Sequence, residues 1–143
     1  MELYFTGKYD YVIDEKFRVA LPAAFCDMLG EKAILVPFGD SISIYTVEGH
    51  KAWITKLFED KDLVHDKAAR IVKDGLLSKS VTVNIDKSKR ISLSKVDPRF
   101  RDLRQITKDV VVTGNDDHVE IWNAQTYAQT FEETLDYSSY FFS

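Results

Sequence analysis

The chain has 143 residues, a length that suits one core-bearing domain or two small lobes and is too short for a large multidomain enzyme. Its composition, 45% hydrophobic and 29% charged residues, is that of a folded globular protein and excludes disorder as the main state. The sequence has no apolar run of about 18 residues and no signal-peptide pattern, so we expect a cytoplasmic protein without a membrane partner.

Charge is distributed unevenly along the chain, although the net charge is only -4 at pH 7. Counted along the sequence, residues 79–104 have a net charge of +5, residues 1–78 of -3 and residues 105–143 of -6. The central segment can therefore form a basic surface on an acidic body, as nucleic-acid binding requires. A solvated basic face without a partner is the alternative.

The chain contains an internal repeat in which the order of the related segments is preserved. The matched pairs are YVIDEKFRVALP (11–22) with VNIDKSKRISLS (83–94), AILVP (33–37) with VVVTG (110–114), and SIYT (43–46) with EIWN (120–123). Tandem duplication is the simplest explanation and predicts two related lobes. The predicted boundaries are 1–58 for the first lobe, 59–78 for a linker and connecting helix, 79–135 for the second lobe and 136–143 for an aromatic tail.

Each lobe begins with two short alternating runs on either side of a polar turn, which predicts a β-hairpin. The runs are 9–13 and 17–21 in the first lobe, and 81–85 and 91–93 in the second. A short helix is predicted next in both lobes. In the first lobe it follows Pro22, and in the second Asp97 can cap a helix that begins at Pro98.

A second hairpin and a closing helix complete each predicted lobe. The predicted strands are 33–36, 41–45, 109–113 and 118–122. Thr46 and Asn123 can cap the closing helices, the second of which has an apolar side made of Tyr127, Phe131 and Leu135. Residues 66–77 predict the connecting helix. The fold class is therefore α+β, with the order β-β-α-β-β-α in each lobe.

The most specific pattern is DxxxR, which occurs once in the first predicted turn of each lobe. It joins Asp14 to Arg18 and Asp86 to Arg90. An Asp that enters a tight turn can accept backbone N–H groups, and the Arg that follows can meet either that carboxylate or a phosphate. A turn-stabilising ion pair is the structural alternative, but a surface pair of this kind contributes only about 0–1 kcal/mol.

With these motifs the chain resembles the MraZ family of bacterial transcriptional regulators, and the resemblance covers nearly its whole length. The segments that carry it are Phe5-x-Gly7, IDEKFRVALP, ILVP, SIYT, NIDKSKRISL, VVVTGNDDHVEIW and the predicted helix after Trp122. The resemblance implies an AbrB/SpoVT-like double-split β-barrel built by the two lobes. It also implies a cyclic homo-oligomer that binds double-stranded DNA at repeated boxes upstream of the division and cell-wall operon, in association with the nucleoid.

The resemblance also assigns roles to residues of the two turns. Its motif positions are Asp14 and Asp86, which organise the turns, and the DNA-binding residues Lys16, Arg18 and Arg90. We add Lys87 and Lys89 as neighbouring cations in the second turn.

The family usually has Gly or Asn just before the Arg, whereas this chain has Phe17 and Lys89 there. We favour packing of Phe17 on the barrel; contact with a neighbouring subunit or with a DNA sugar is the alternative.

The predicted function is therefore a DNA-binding transcriptional regulator, and the alternative is a ring-forming interaction scaffold that has lost DNA recognition. We predict no enzyme activity, because no matched acid and base positions are visible. We also predict no cofactor and no metal, since the single Cys26 and three dispersed histidines lack ligand spacing. The aromatic tail is expected to dock on its own core or on an adjacent subunit, with recruitment of another protein as the alternative.

Overall fold

The computed structural model describes residues 2–132 and 136–142 of the chain. The first lobe contains β1 (Lys8–Val12), β2 (Arg18–Ala20), α1 (Ala23–Leu29), β3 (Lys32–Phe38), β4 (Ser41–Tyr45) and α2 (Val47–Leu57). The connecting helix is α3 (Lys67–Lys79). The second lobe contains β5 (Val81–Asn84), β6 (Arg90–Ser92), α4 (Pro98–Leu103), β7 (Asp109–Asn115), β8 (His118–Asn123) and α5 (Ala124–Tyr127). The predicted β-β-α-β-β-α order is confirmed in both lobes.

Polar residues cap the helices where the sequence predicts. The Thr46 side chain accepts a hydrogen bond from the Gly49 N–H at the start of α2, and the Asn123 side chain accepts one from the Thr126 N–H at the start of α5. The Asp97 side chain accepts from the Arg99 N–H and Pro98 is the first residue of α4. These side chains satisfy N–H groups that have no partner within their helices.

Strands from both lobes form one six-stranded sheet in the order β1-β7-β8-β4-β3-β5. The second hairpins, β3–β4 and β7–β8, are confirmed, and β4 and β8 pair at the middle of the sheet. A separate two-stranded sheet, which we call the ribbon, consists of β2 and β6. The chain thus has an α+β double-split β-barrel fold in which each lobe contributes to both sheets.

The first predicted hairpin of each lobe is wrong. Strand β1 pairs with β7 of the second lobe, β5 pairs with β3 of the first, and β2 pairs with β6 across the lobes. The turns are present, but each sends the chain from one sheet to the other. Alternation of apolar residues predicts which side of a strand is buried, and it does not identify the strand that pairs with it.

The core lies between the ribbon and the six-stranded sheet. Val19 and Ile91, which pair in the ribbon, are 0% and 1% exposed. The same cluster contains Ile42 and Ile121, which are paired at the centre of the large sheet. Because the two lobes share one apolar cluster, the core holds both turns in fixed positions relative to each other.

Among the described residues, helix α3 and the tail expose apolar side chains outside this core. The connecting helix α3 exposes Ile71, Val72 and Leu77. Within the described tail residues 136–142, four aromatic side chains are exposed and do not dock on the core of this chain: Tyr137, Tyr140, Phe141 and Phe142. No helix among the described residues is long and apolar enough to cross a membrane.

The closing part of the second lobe differs from a single regular helix. Helix α5 is followed by a π-helical segment, Ala128–Glu132. Trp122 contacts the Tyr127 and Phe131 rings edge-on, with centroids 6.1 and 5.3 Å away. The predicted apolar side therefore packs through these two residues, while Leu135 lies outside the described residues.

Candidate nucleic-acid interface

The ribbon places the two DxxxR arginines on one surface. In its register Arg18 is opposite Ser92, and Ala20 is opposite Arg90. Since successive side chains of a strand point to opposite sides, the buried Val19 and Ile91 put both arginines on the outer side. Arg18 and Arg90 are accordingly about one-third exposed, at 31% and 32%.

Turn 1, which we define as residues 14–18, is organised by Asp14. The Asp14 carboxylate accepts the backbone N–H groups of Lys16 and Arg18, each at 2.9 Å, and the Arg18 Nε–H at 2.8 Å. The backbone closes the turn through Phe17 N–H donating to the Asp14 carbonyl oxygen at 3.0 Å. Donation from the Arg18 backbone and side chain holds the pKa of Asp14 below its ordinary value.

Turn 2, which we define as residues 86–90, has the same geometry. The Asp86 carboxylate accepts the N–H groups of Ser88 and Arg90 at 2.9 Å each and the Arg90 Nε–H at 3.1 Å. The backbone N–H of Arg90 is the main cause of a lowered Asp86 pKa. The ion pairs expected as the structural alternative are therefore present in both turns, and each uses the Nε–H edge of its guanidinium group.

Contacts between the lobes join the two turns. Leu21 N–H donates to the Lys89 carbonyl oxygen at 2.9 Å, and Leu93 N–H donates to the Phe17 carbonyl oxygen at 2.7 Å. In addition, Arg90 Nη1 lies 3.9 Å from Asp14 Oδ2. The two DxxxR patterns, which are far apart in the sequence, thus form one continuous site with the ribbon at its centre.

The remaining predicted cations lie at the rims of this site. Lys16, Lys87 and Lys89 are all exposed. The charge of the turns is unequal, since turn 1 contains two acidic and two basic residues, whereas turn 2 contains one acidic and three basic residues. Turn 2 is therefore the more positive part of the site.

Both turns keep a left-handed backbone without the glycine or asparagine that usually supplies it. Phe17 and Lys89 each have φ of 60°. The Phe17 ring is 47% exposed and lies beneath the guanidinium group of Arg101, whose Cζ is 4.9 Å from the ring centroid. Sequence reasoning missed Arg101, because it stands among the many basic residues of 79–104 and only the fold brings α4 to the opposite lobe's turn.

Comparisons with known proteins identify the family of this chain. The family model described as "MraZ protein, putative antitoxin-like" matches residues 76–140. Proteins named "Transcriptional regulator MraZ" are similar over most of the chain. The one from Thermoanaerobacter sp. (strain X514) is 34% identical over 130 residues, which cover 90% of this chain and 87% of the relative. This chain belongs to the MraZ family.

Two further MraZ relatives span similar lengths. The protein of Corynebacterium jeikeium (strain K411) is 34% identical over 87% of this chain and 84% of its own length. The protein of Caldanaerobacter subterraneus subsp. tengcongensis is 32% identical over 90% and 87%, respectively. Most of the family-model match lies in the second lobe. The similarity to these relatives extends well beyond it and includes the first lobe.

Chemically, the site formed by the ribbon and the two turns of this MraZ family member is suited to binding an anion on a strand surface. Arginine guanidinium groups and lysine ammonium groups bind phosphate oxygens through charge-assisted hydrogen bonds. Asp14 and Asp86 fix the arginines and reduce the local positive charge. Among residues 2–132 and 136–142, no group of three His, Cys, Asp or Glu side chains is arranged to hold a metal ion.

Proposed function

We propose that this protein regulates transcription by binding operator DNA through the outer side of the ribbon and its two turns. The observation that carries the proposal is the ribbon register, which places Arg18 and Arg90 on one exposed side between Lys16, Lys87 and Lys89. Binding without catalysis is the activity that this set of side chains supports. The proposed DNA-binding residues are therefore the same as those predicted from the sequence. Asp14 and Asp86 are proposed to organise the turns.

A two-stranded ribbon is an element that can enter duplex DNA. The major groove admits a two-stranded β-ribbon, and side chains on its outer side can reach base edges. The lysines at the rims would then contact phosphates and set the position of the ribbon on the duplex. Arg18 and Arg90 have their Nε–H groups bound to Asp14 and Asp86, so each would approach DNA with the other edge of its guanidinium group.

Assembly into a cyclic homo-oligomer is the second part of the proposal. Its support is that α3 exposes the apolar side chains of Ile71, Val72 and Leu77, which nothing else in this chain covers among the described residues. Contact between different surfaces of neighbouring copies produces a ring when the rotation closes. Several linked ribbons would face several repeated boxes, and the later contacts become effectively intramolecular. This accounts for DNA binding by a subunit with a net charge of -4.

From the family resemblance we further propose that the operator boxes lie upstream of the division and cell-wall operon and that the protein associates with the nucleoid. A binding assay with the full chain tests this directly. Labelled DNA from upstream of the protein's own operon is titrated at several salt concentrations, with a scrambled duplex as competitor. We expect preferential binding whose affinity falls linearly with the logarithm of salt concentration.

A ring-forming scaffold without DNA recognition is the second candidate. It is favoured by the acidic total charge and by turn 1, whose acidic and basic residues balance. The same assay separates the two functions when the oligomeric state is measured by light scattering on the same sample. A protein that assembles but binds both duplexes weakly and equally would overturn the regulator and support the scaffold.

A further inference from the structure

We infer that Arg101 is a positioning residue for turn 1, which it holds in its left-handed conformation by stacking on Phe17. The pair supports a backbone conformation that glycine or asparagine usually supplies. The effect on DNA affinity rests on the proposed function, whereas the effect on the turn itself does not. Arg101 thereby couples helix α4 of the second lobe to the proposed DNA-binding turn of the first.

The conformation of Phe17 calls for support of this kind. A bulky residue with positive φ is uncommon, because its Cβ crowds the neighbouring carbonyl oxygen. Phe17 nevertheless has φ of 60°, and its N–H and carbonyl groups both make backbone hydrogen bonds, to Asp14 and from Leu93. Such a backbone conformation persists when contacts of the surrounding structure with the side chain hold the residue in place.

Arg101 is itself fixed in place. It is 7% exposed, and its Nε–H donates to the Val96 carbonyl oxygen at 3.2 Å. Its backbone is held as well, since its N–H donates to Asp97 and its carbonyl oxygen accepts from Ile106. A buried guanidinium group in this position does not reach a phosphate, so its influence on DNA passes through the Phe17 ring, with a cation–π attraction between the two.

Turn 2 has a different arrangement, which is seen by comparing helix α1 of the first lobe with helix α4 of the second. In α1 the Cys26 Sγ–H donates to the carbonyl oxygen of Leu21, five residues earlier, and in α4 the Arg101 Nε–H donates to the carbonyl oxygen of Val96, also five residues earlier. Cys26 of α1 therefore corresponds to Arg101 of α4. Burial raises the pKa of Cys26 and the nearby charge of Lys89 opposes that rise. Lys89 keeps the left-handed φ of 60° without an aromatic ring, and its exposed ammonium group remains available to a phosphate.

The stack therefore makes the two turns unequal. Turn 1 has a clamped aromatic residue where turn 2 has an exposed cation. A double-mutant cycle between Phe17 and Arg101 separates this role from a general contribution of Arg101 to folding. In Phe17→Gly the backbone adopts positive φ without support, so the turn no longer depends on Arg101.

The experiment uses the full chain and two measurements: hydrogen exchange of the Arg18 amide, which is bonded to Asp14, and affinity for operator DNA. Arg101→Leu should speed exchange of that amide and weaken DNA binding, each by on the order of fivefold. Arg101→Lys should retain a larger part of both, because an ammonium group also attracts an aromatic ring. Arg101→Leu in the Phe17→Gly background should change neither further.

Arg99→Leu is the matched control, since it removes the same charge from an exposed position of the same helix. Equal losses in Arg99→Leu would show a charge effect and overturn the inference. So would unchanged exchange in Arg101→Leu, or an undiminished effect of Arg101→Leu in the Phe17→Gly background. Hydrogen exchange is measured without DNA. Failure of the wild-type protein to bind DNA would therefore overturn the proposed function, and the exchange data would still test the contact between Phe17 and Arg101.

Discussion

Asp14 receives arginines from both lobes on a single carboxylate oxygen. Its Oδ2 accepts Arg18 Nε–H at 2.8 Å and lies 3.9 Å from Arg90 Nη1. The two turns are therefore linked by a shared charge as well as by the ribbon. Asp86 makes the corresponding bond at 3.1 Å to its own arginine, Arg90.

This difference predicts unequal effects of the two Asp→Asn substitutions. Asp14→Asn should loosen both arginines and lower the thermal midpoint of unfolding more than Asp86→Asn, which affects one. The amide oxygen of Asn still accepts backbone N–H groups, so the turns themselves should persist. Thermal unfolding of the two variants, followed by circular dichroism, checks the order. A larger loss in Asp86→Asn would contradict the sharing of Asp14.

Removal of the ribbon arginines should weaken DNA binding more than folding. We expect Arg18→Ala and Arg90→Ala each to reduce affinity, and the double variant to lose at least the sum of the two free energies. Each lost phosphate contact should also reduce the slope of log affinity against log salt by about 1. Lys51→Ala, on the exposed side of α2, is the charge-matched control. Equal binding by the double variant would refute the site.

The unequal charge of the turns predicts that turn 2 supplies more of the phosphate contacts. Lys87→Ala combined with Lys89→Ala should reduce affinity and salt slope more than Lys16→Ala, because it removes two exposed cations from the more positive turn. Glu15→Gln should raise affinity, since it removes an exposed negative charge from turn 1. Unchanged binding in Glu15→Gln would mean that turn 1 does not approach the duplex.

The sequence predicts the order of the elements and the helix caps well, because both depend on residues close together in the chain. Thr46, Asn123 and Asp97 satisfy helix N–H groups two or three positions away. The pairing of β1 with β7 is different, since it depends on which strand lies nearest after the lobes interlock. Tyr9 faces Val112 across about a hundred residues of sequence, and alternation contains no information on that partner.

The candidate site also has residues that the local sequence predicts and a residue that only the tertiary fold identifies. The DxxxR pattern identifies Asp14, Arg18, Asp86 and Arg90, because Asp-to-backbone bonds within a turn are local. Arg101 is found only in the fold. Its burial over Phe17 needs a helix from one lobe to lie on the turn of the other.

The pH dependence of stability should reveal a charged network at the start of β8. His118 bonds Asp117 at 2.8 Å and Glu120 at 2.7 Å, and its ring stacks on Tyr45. Burial lowers the pKa of His118, but the hydrogen bonds to Glu120 and Asp117 outweigh burial and leave that pKa raised. Burial raises the pKa of Glu120, but the hydrogen bonds from His118 and Trp122 outweigh burial and leave that pKa lowered.

Because the folded pKa of His118 lies above the unfolded one, its contribution is complete below about pH 6.5 and is lost as pH rises through the folded pKa. His50 has the opposite effect, since burial lowers its pKa and it favours folding at higher pH. The comparison is therefore made against His118→Gln. Urea unfolding is measured at pH 5.5 and 8.5, about 1–2 units on either side of the ordinary pKa of histidine. The free energy of unfolding of the wild type should exceed that of the variant by roughly 1 kcal/mol at the lower pH only. An equal gap at both values would refute the charged network.

Gly114 should be intolerant of any side chain, because the N-terminal segment crosses directly over it. An added Cβ would collide with the backbone of Phe5 and Thr6, and these atoms belong to a segment fixed by hydrogen bonds. Gly114 N–H donates to the Gly7 carbonyl oxygen at 2.9 Å, and Phe5 and Asp116 exchange two further bonds. Gly114→Ala should therefore lower the free energy of unfolding by about 1–3 kcal/mol. Gly75→Ala is the control: nothing lies within 4 Å of its added Cβ in α3, and it should stabilise by up to about 1 kcal/mol. A neutral Gly114→Ala in chemical denaturation would show that the segment at Phe5 moves away without loss.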